Sequence, residues 1–427
     1  MSGDFPREPV PEEAATRAAG SIAMMVSNAA MGVPVMILGA SIGKDYGSFT
    51  TWLVIAIGCA ITASLAASAA YAGVKSRRST ALLAKQAFGS SGAHLLNLAV
   101  AVALLGWFSV EMGFVGDMVS EGVKNVFDVA IGRGPGIVTA SFLICGICVF
   151  GIGLVSRAPM LFLPFLGVLL LVVLSMTLRA PNGPLPQAVP FKSIGPGVSA
   201  IVGAYVIGCL IMPDYTRFIR TSRAAVGATV FALGPVYGVV LGTYALAGLA
   251  THHSQPTSIF LGLGLPAVIG LILPIGLMQN GIMCLYSSVL ATSTLVRAGS
   301  FSLLAIVSMI AGLGLALAGA DSFFVNFLVI LGIIFPPAVA LLIYAGLFAA
   351  PVKQPRSQEW KLAEIAVWSG GIACGVASEW GGLGATGFSA FDGFLGAGVG
   401  IAGLHLARNA SVRSAAAPIT ELLDDER

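Results

Sequence analysis

Trp107 and Glu111 stand four residues apart inside the apolar run 93–122, so in a helix they share a face. A carboxylate at that depth in a bilayer costs about 2.5–3.5 kcal/mol on insertion scales. It must therefore face a polar cavity, a partner or a substrate. An aromatic plane beside a hydrogen-bonding carboxylate suits a flat heterocycle that offers N–H donors. The competing reading makes Trp107 a packing aromatic and Glu111 a structural group paired with another helix. Gln279, Asn280, Asn28 and Asn326 also lie in apolar runs. Amides there serve either as ligands or as interhelical hydrogen-bonding groups.

Two apolar runs carry helix breakers. The first reads Asn28-Ala29-Ala30-Met31-Gly32-Val33-Pro34, and the sixth reads Ile207-Gly208-Cys209-Leu210-Ile211-Met212-Pro213-Asp214. Proline removes a helix hydrogen bond and crowds the preceding turn, and glycine permits unwinding. If spans 1–5 and 6–10 form two repeats, these breaks fall at matching positions. Five is odd, so the second repeat enters the membrane from the opposite side, as inversion requires. Interrupted helices at matched positions point to a transporter binding site near the midplane.

The elements that position these residues follow from composition. The 427 residues are 57% hydrophobic and only 10% charged, with a mean hydropathy of +0.93. A soluble domain carries about 25% charged residues. Runs of about 20 apolar residues cross a hydrocarbon core of about 30 Å as helix. Twelve spans are expected: 21–43, 50–74, 93–122, 135–156, 158–179, 196–218, 224–250, 262–295, 300–319, 322–349, 361–379 and 389–408. The third and eighth are long enough to tilt or project. The fold class is all-α integral membrane, and the pattern excludes a barrel of alternating ten-residue strands.

An even span count puts both termini on one side. The connections on that side hold twelve Lys and Arg against five opposite, so the termini are expected in the cytoplasm of a bacterial-type inner membrane. Residues 1–20 carry Asp4, Glu8, Glu12 and Glu13, which does not suit the basic start of a signal peptide. The domain plan is a cytoplasmic segment 1–20, a transporter domain 21–408 with repeats at about 21–179 and 196–349 plus two further helices, and a tail 409–427.

The cysteines, including Cys145 and Cys148, sit in apolar runs and read as small packing residues. His252 and His253 lack the neighbours a metal would need. Asp214 and Arg217 close the sixth span and read as an ion pair or gate.

The chain resembles the nucleobase:cation symporter-1 family, closest to its bacterial cytosine-permease branch. The resemblance rests on Val10-Pro11, Gly106-Trp107-Phe108, Asp214-Tyr215-Thr216-Arg217-Phe218, Leu285-Tyr286-Ser287-Ser288 and Pro336-Pro337, in that order along nearly the whole chain. It implies twelve helices, the five-plus-five inverted-repeat (LeuT-like) fold with broken helices 1 and 6, and cation-coupled import by alternating access. It also implies that the base is sandwiched between Trp107 and Tyr205. Leu104 stands where cytosine permeases tend to carry a glutamine, and Glu111 where hydantoin-type relatives carry one. Ala204 and Ile207 replace serines, beside Gly208. The implied substrates are cytosine, another aminopyrimidine, a purine with a guanine-like edge or a cationic ring. The alternatives are the thiamine precursor hydroxymethylpyrimidine or a hydantoin- or allantoin-like compound. The family's cation site maps to Met31 and Gly32 at the first break and to Gly276, Gln279 and Asn280 in span eight. Its ion would be Na⁺, with H⁺ carried by Glu111 as the alternative. No cofactor and no nucleic-acid partner is expected, and a monomer is compatible with every feature.

A membrane-embedded enzyme would need a nucleophilic or charged cluster at one depth. The four histidines, His94, His252, His253 and His405, sit near span ends and are not clustered in sequence. A channel would need a filter-like loop, and none is visible.

Overall fold

In the computed structural model, residues 8–150, 158–179, 194–266, 268–293, 295, 300–348 and 359–424 are described. The side chains of 48, 150, 158–163, 279 and 409–424 lie outside that description. The described chain is helical: α1 Ala19–Ala30, α2 Val33–Tyr46, α3 Ser48–Ser76, α4 Thr80–Phe88, α5 Gly92–Phe127 and α6 Arg133–Phe150. Then follow α7 Ala158–Arg179, α8 Gly195–Leu210, α9 Met212–Thr216, α10 Ser222–Phe231 and α11 Tyr237–Thr251. The remainder is α12 Pro256–Gly262, α13 Val268–Ser293, α14 Phe301–Leu317, α15 Phe324–Leu347, α16 Leu362–Gly381 and α17 Ser389–Asp424. The one β-type pairing among the described residues is an isolated parallel bridge between Arg17 and Ile219.

Helix lies on each of the twelve expected spans, although residues 151–157 of the fourth fall outside the description. By length and apolarity alone, six helices among the described residues suffice to cross a membrane, or seven counting α1 and α2 as one bent span, and four more are shorter and apolar. Several points differ from expectation. The eighth span starts at Val268 rather than 262, because Gly264 takes a positive φ of 77° and Pro266 follows it. The α4 helix was not foreseen. It has nine residues, too few to span, and its Ser79 cap accepts the Leu82 N–H at 3.3 Å. The sixth span breaks at Ile211 (φ −90°, ψ 3°), inside the expected segment Ile207–Asp214, with Pro213 in the first turn of α9.

The first break is sharper. Met31 and Gly32 leave the helical conformation, and α1 and α2 meet at 56°. Each broken span is held by close helix packing at small residues, the usual means of association in lipid. For α2, a Cβ on Gly43 would stand 2.0 Å from the Ala245 carbonyl oxygen of α11. For α8, a Cβ on Gly203 would stand 1.7 Å from the Leu328 carbonyl oxygen of α15. The α5 helix packs along α13, and that contact carries the polar part of the site.

Candidate functional site

The Glu111 side chain on α5 is fully buried, and Asn280 Nδ2 of α13 donates to its Oε1. Its other oxygen, Oε2, has no hydrogen-bond partner among the described residues. That oxygen lies 3.5 Å from where a Cβ on Gly281 would stand, so the missing side chain of Gly281 leaves it room. None of the ion pairs among the described residues involves Glu111. A buried carboxyl with one donor and one idle oxygen is an acceptor waiting for a donor or a proton.

One turn away, Trp107 is 8% exposed. Its ring meets Phe327 edge-on at 5.6 Å and Phe324 at 6.0 Å, both from α15. Phe327 also lies against Gly106, where a Cβ would come within 2.8 Å of its ring. The next residue of α15, Leu328, is the one that touches Gly203 of α8. The same stretch of α15 therefore lies against Trp107 and against the backbone two residues before Tyr205.

The α8 helix is enclosed apart from exposed Pro196 at its start and a half-buried stripe of Ala204, Tyr205 and Gly208. Ile207 is turned inward at 6% exposure, so it lies off that stripe. The Tyr205 ring lies across Gly208, where a Cβ would meet it at 2.5 Å. Gly208 thus serves to seat the ring rather than to break the helix. Leu104 is half-buried on α5.

The expected cation positions come together only in part. Met31 and Gly32 are half-buried at the break, and among the described residues no other helix comes within 4 Å of a Gly32 Cβ position. The Gly32 carbonyl accepts the Val35 and Met36 N–H groups at 3.0 and 3.3 Å, so its main use is to start α2. Gly276 is half-buried with open space beside its Cα. Asn280 is given to Glu111, and no hydrogen bond among the described residues joins it to the first break. The Gln279 side chain lies outside the description. Asn28 keeps a buried Oδ1 without a partner among the described residues, whereas Asn326 is exposed.

Asp214 does more than an ion pair would. Its Oδ1 accepts the Thr80 N–H at 2.9 Å and so holds the start of α4. The Arg217 guanidinium lies over the Phe218 ring at 4.7 Å, with Arg17 over the same ring at 4.6 Å. Cys148 donates to the Ile282 carbonyl at 3.5 Å, a packing contact between α6 and α13. Sequence reasoning missed a second acid on α5. Asp117 lies 3.5 Å from Arg133, which also pairs with buried Asp321 ahead of α15. A lone Arg at the start of span four was the available signal.

With this geometry established, the comparisons are specific. The family described as permease for cytosine/purines, uracil, thiamine and allantoin matches residues 9–350. The chain belongs to this permease family. It is 24% identical to the cytosine permease of Escherichia coli K12 over 317 residues, covering 71% of this chain and 72% of that one. The inward-facing structure of Mhp1 superposes with a TM-score of 0.76 at 13% identity, over 92% of this chain and 91% of that chain. Mhp1, a nucleobase-cation-symport-1 family transporter, also matches in a closed form with bromovinylhydantoin bound, at a TM-score of 0.72, 15% identity and 95% and 96% coverage. A Na⁺-coupled sialic acid symporter matches more loosely, at 0.54, 12% identity and 92% and 89% coverage. The permease therefore has the LeuT-like fold with broken helices 1 and 6. It is a membrane transporter of the nucleobase-permease type, not an enzyme.

Proposed function

We propose that this permease imports a planar heterocycle with N–H donors, stacked between Trp107 and Tyr205 and read by the free Oε2 of Glu111. The observation that carries the reading is the divided use of the Glu111 carboxylate. One oxygen is spoken for by Asn280, and the other, one turn from an aromatic platform, is idle. An aminopyrimidine fits this best, since its amino group, joined by a ring N–H in an oxo form such as cytosine, offers donors in the ring plane. Leu104, Ala204 and Gly208 would line the walls, with Ile207 behind them. A panel of cytosine, hydroxymethylpyrimidine, guanine, allantoin and hydantoin, assayed for uptake with Na⁺ and pH varied separately, tests it. Accumulation of none of them would refute the reading.

The coupling ion is proposed to be Na⁺ at the first break, near Met31 and Gly32. The full burial of Glu111, with no ion pair to it among the described residues, favours a second reading, in which it carries H⁺. In either case the termini are placed in the cytoplasm, with repeats at 21–179 and 196–349, two further helices to 408, and a tail beyond.

Trp107→Ala should weaken base binding by the ~1–3 kcal/mol that stacking contributes. A purified variant that bound as tightly as wild type would remove Trp107 from the site.

Asn280→Ala separates two assignments. As the positioning partner of Glu111, its loss leaves a buried oxygen unsatisfied at about 1–3 kcal/mol. Base affinity should then fall about tenfold, while the Na⁺ concentration giving half-maximal binding stays put. A cation ligand would instead shift that Na⁺ midpoint, because ion and base are linked reciprocally.

A further inference from the structure

The family match ends at residue 350, so α16 and α17 lie beyond it. They are not a loose appendage. Ser389, at the start of α17, is fully buried, and its Oγ donates to Glu379 Oε2 of α16 at 2.6 Å. The same Oγ lies 2.7 Å from Oγ of fully buried Ser199 on α8. A serine has one hydroxyl proton, and Ser389 gives it to Glu379, so Ser199 must donate to Ser389. The chain Ser199 to Ser389 to Glu379 is thus directional and anchored on a carboxyl, the arrangement in which each bond polarises the next.

The turn that presents Ser389 is braced from within. Asp392 accepts from Ser378 Oγ at 2.6 Å, from Thr386 N at 3.0 Å and from Thr386 Oγ1 at 2.9 Å. A second contact reaches the first residue of α8, where a Cβ on Gly195 would meet the Gly387 carbonyl oxygen at 2.4 Å. Between the two contacts, the Gly197 N–H donates to the Tyr46 hydroxyl at 3.1 Å, tying in the end of α2. The hairpin is itself fastened to α15, where Trp368 Nε1 donates to the Ile334 carbonyl at 2.9 Å. The starting half of α8 is therefore held at three successive points, two of them supplied by the hairpin.

We propose that the α16–α17 hairpin is a positioning element of transport: the Glu379–Ser389–Ser199 relay fixes the half of α8 that leads to Tyr205. The break at Ile211 gives that half a hinge, and the relay stops it from turning there. The link to transport rests on Tyr205 being a site residue, but the restraint on α8 does not.

Cys209 supplies a native reporter. It lies on α8 one turn after Tyr205, is fully buried, and its thiol donates to the Thr62 carbonyl at 3.7 Å. N-ethylmaleimide labelling of the full chain in nanodiscs, resolved by site with peptide mass spectrometry, reads its opening. Ser389→Ala and Glu379→Ala should raise the Cys209 rate by about three- to tenfold, the factor one hydrogen bond contributes to an opening equilibrium. Cys148 on α6 and Cys284 on α13 are buried outside the relay and should not change. Glu379→Gln keeps an acceptor oxygen and should label like wild type. Ser199→Ala combined with Ser389→Ala should be no worse than either alone, because both cut one chain. Unchanged Cys209 labelling in Ser389→Ala and Glu379→Ala, or a rise at all three cysteines together, overturns the proposal. Cytosine binding measured on the same preparations would fall with the rise at Cys209. If no heterocycle in the panel binds wild type, the substrate reading fails while the labelling result still stands or falls by itself.

Discussion

Glu111→Gln is expected to weaken heterocycle binding by about tenfold or more, with little change in the melting temperature of the ligand-free permease. Glutamine keeps an oxygen that can go on accepting from Asn280 Nδ2. Its amide nitrogen then takes the place of Oε2, the oxygen that has no partner among the described residues. The substitution therefore leaves the internal hydrogen bond intact and turns the idle acceptor into a donor. A substrate N–H would meet an N–H, leaving two donors unsatisfied in a buried site at about 1–3 kcal/mol. If Glu111 carries the coupling proton instead, binding survives, pH-driven accumulation disappears and counterflow exchange persists. If Glu111 only holds α5 to α13, the main loss is folded protein. Binding, counterflow and melting on this one variant separate the three. Unchanged binding with unchanged pH-driven uptake would mean that Glu111 is not part of the site.

Gly203→Ala is expected to cost most of the folded protein. The new Cβ would stand 1.7 Å from the Leu328 carbonyl oxygen, 2.7 Å from its carbon and 3.0 Å from the Gly332 nitrogen. All three are backbone atoms of α15, so no side chain can rotate away. Relief requires α8 and α15 to separate, which opens the contact that sets Tyr205 relative to the aromatic cluster around Trp107. Overpacking typically costs about 1–3 kcal/mol, and the rigid backbone places this case at the upper end or beyond. Gly227→Ala on α10 is the control, since nothing lies within 4 Å of its Cβ position. There the gain in helix propensity should leave stability unchanged or slightly raised. Equal folded yield and melting temperature for the two variants would show that α8 and α15 are farther apart than described.

The two residues also show where reasoning from sequence stops. Glu111 was identifiable because a carboxylate inside an apolar run is costly wherever the chain folds. Asn280 was identifiable as a polar residue in span eight, but its partner was not, since the pair lies 169 residues apart. Counting along a related pattern assigned Asn280 to an ion, and packing of α13 on α5 delivered it to Glu111. Gly203 carries no signal at all among 54 glycines, most of them in apolar runs. Its need for a bare Cα exists only where another backbone passes.

What the chain by itself determined was membrane residence, an all-helical architecture and the two interrupted helices. Bilayer thickness sets span length for any apolar run, and proline and glycine act on their own turn, so both effects are local. The tertiary structure decided everything that depends on which helix faces which. It set the second hinge at Ile211, inside the expected segment Ile207–Asp214, and made Gly208 the seat of the Tyr205 ring. It divided the Glu111 carboxylate between Asn280 and an open oxygen. It turned Asp214 toward Thr80 and joined Ser199 to Ser389 and Glu379. In lipid the hydrophobic effect does not choose between helix faces, so close packing and a few buried hydrogen bonds make that choice. Except for Tyr205 on Gly208, those contacts join different helices, and no local pattern encodes them.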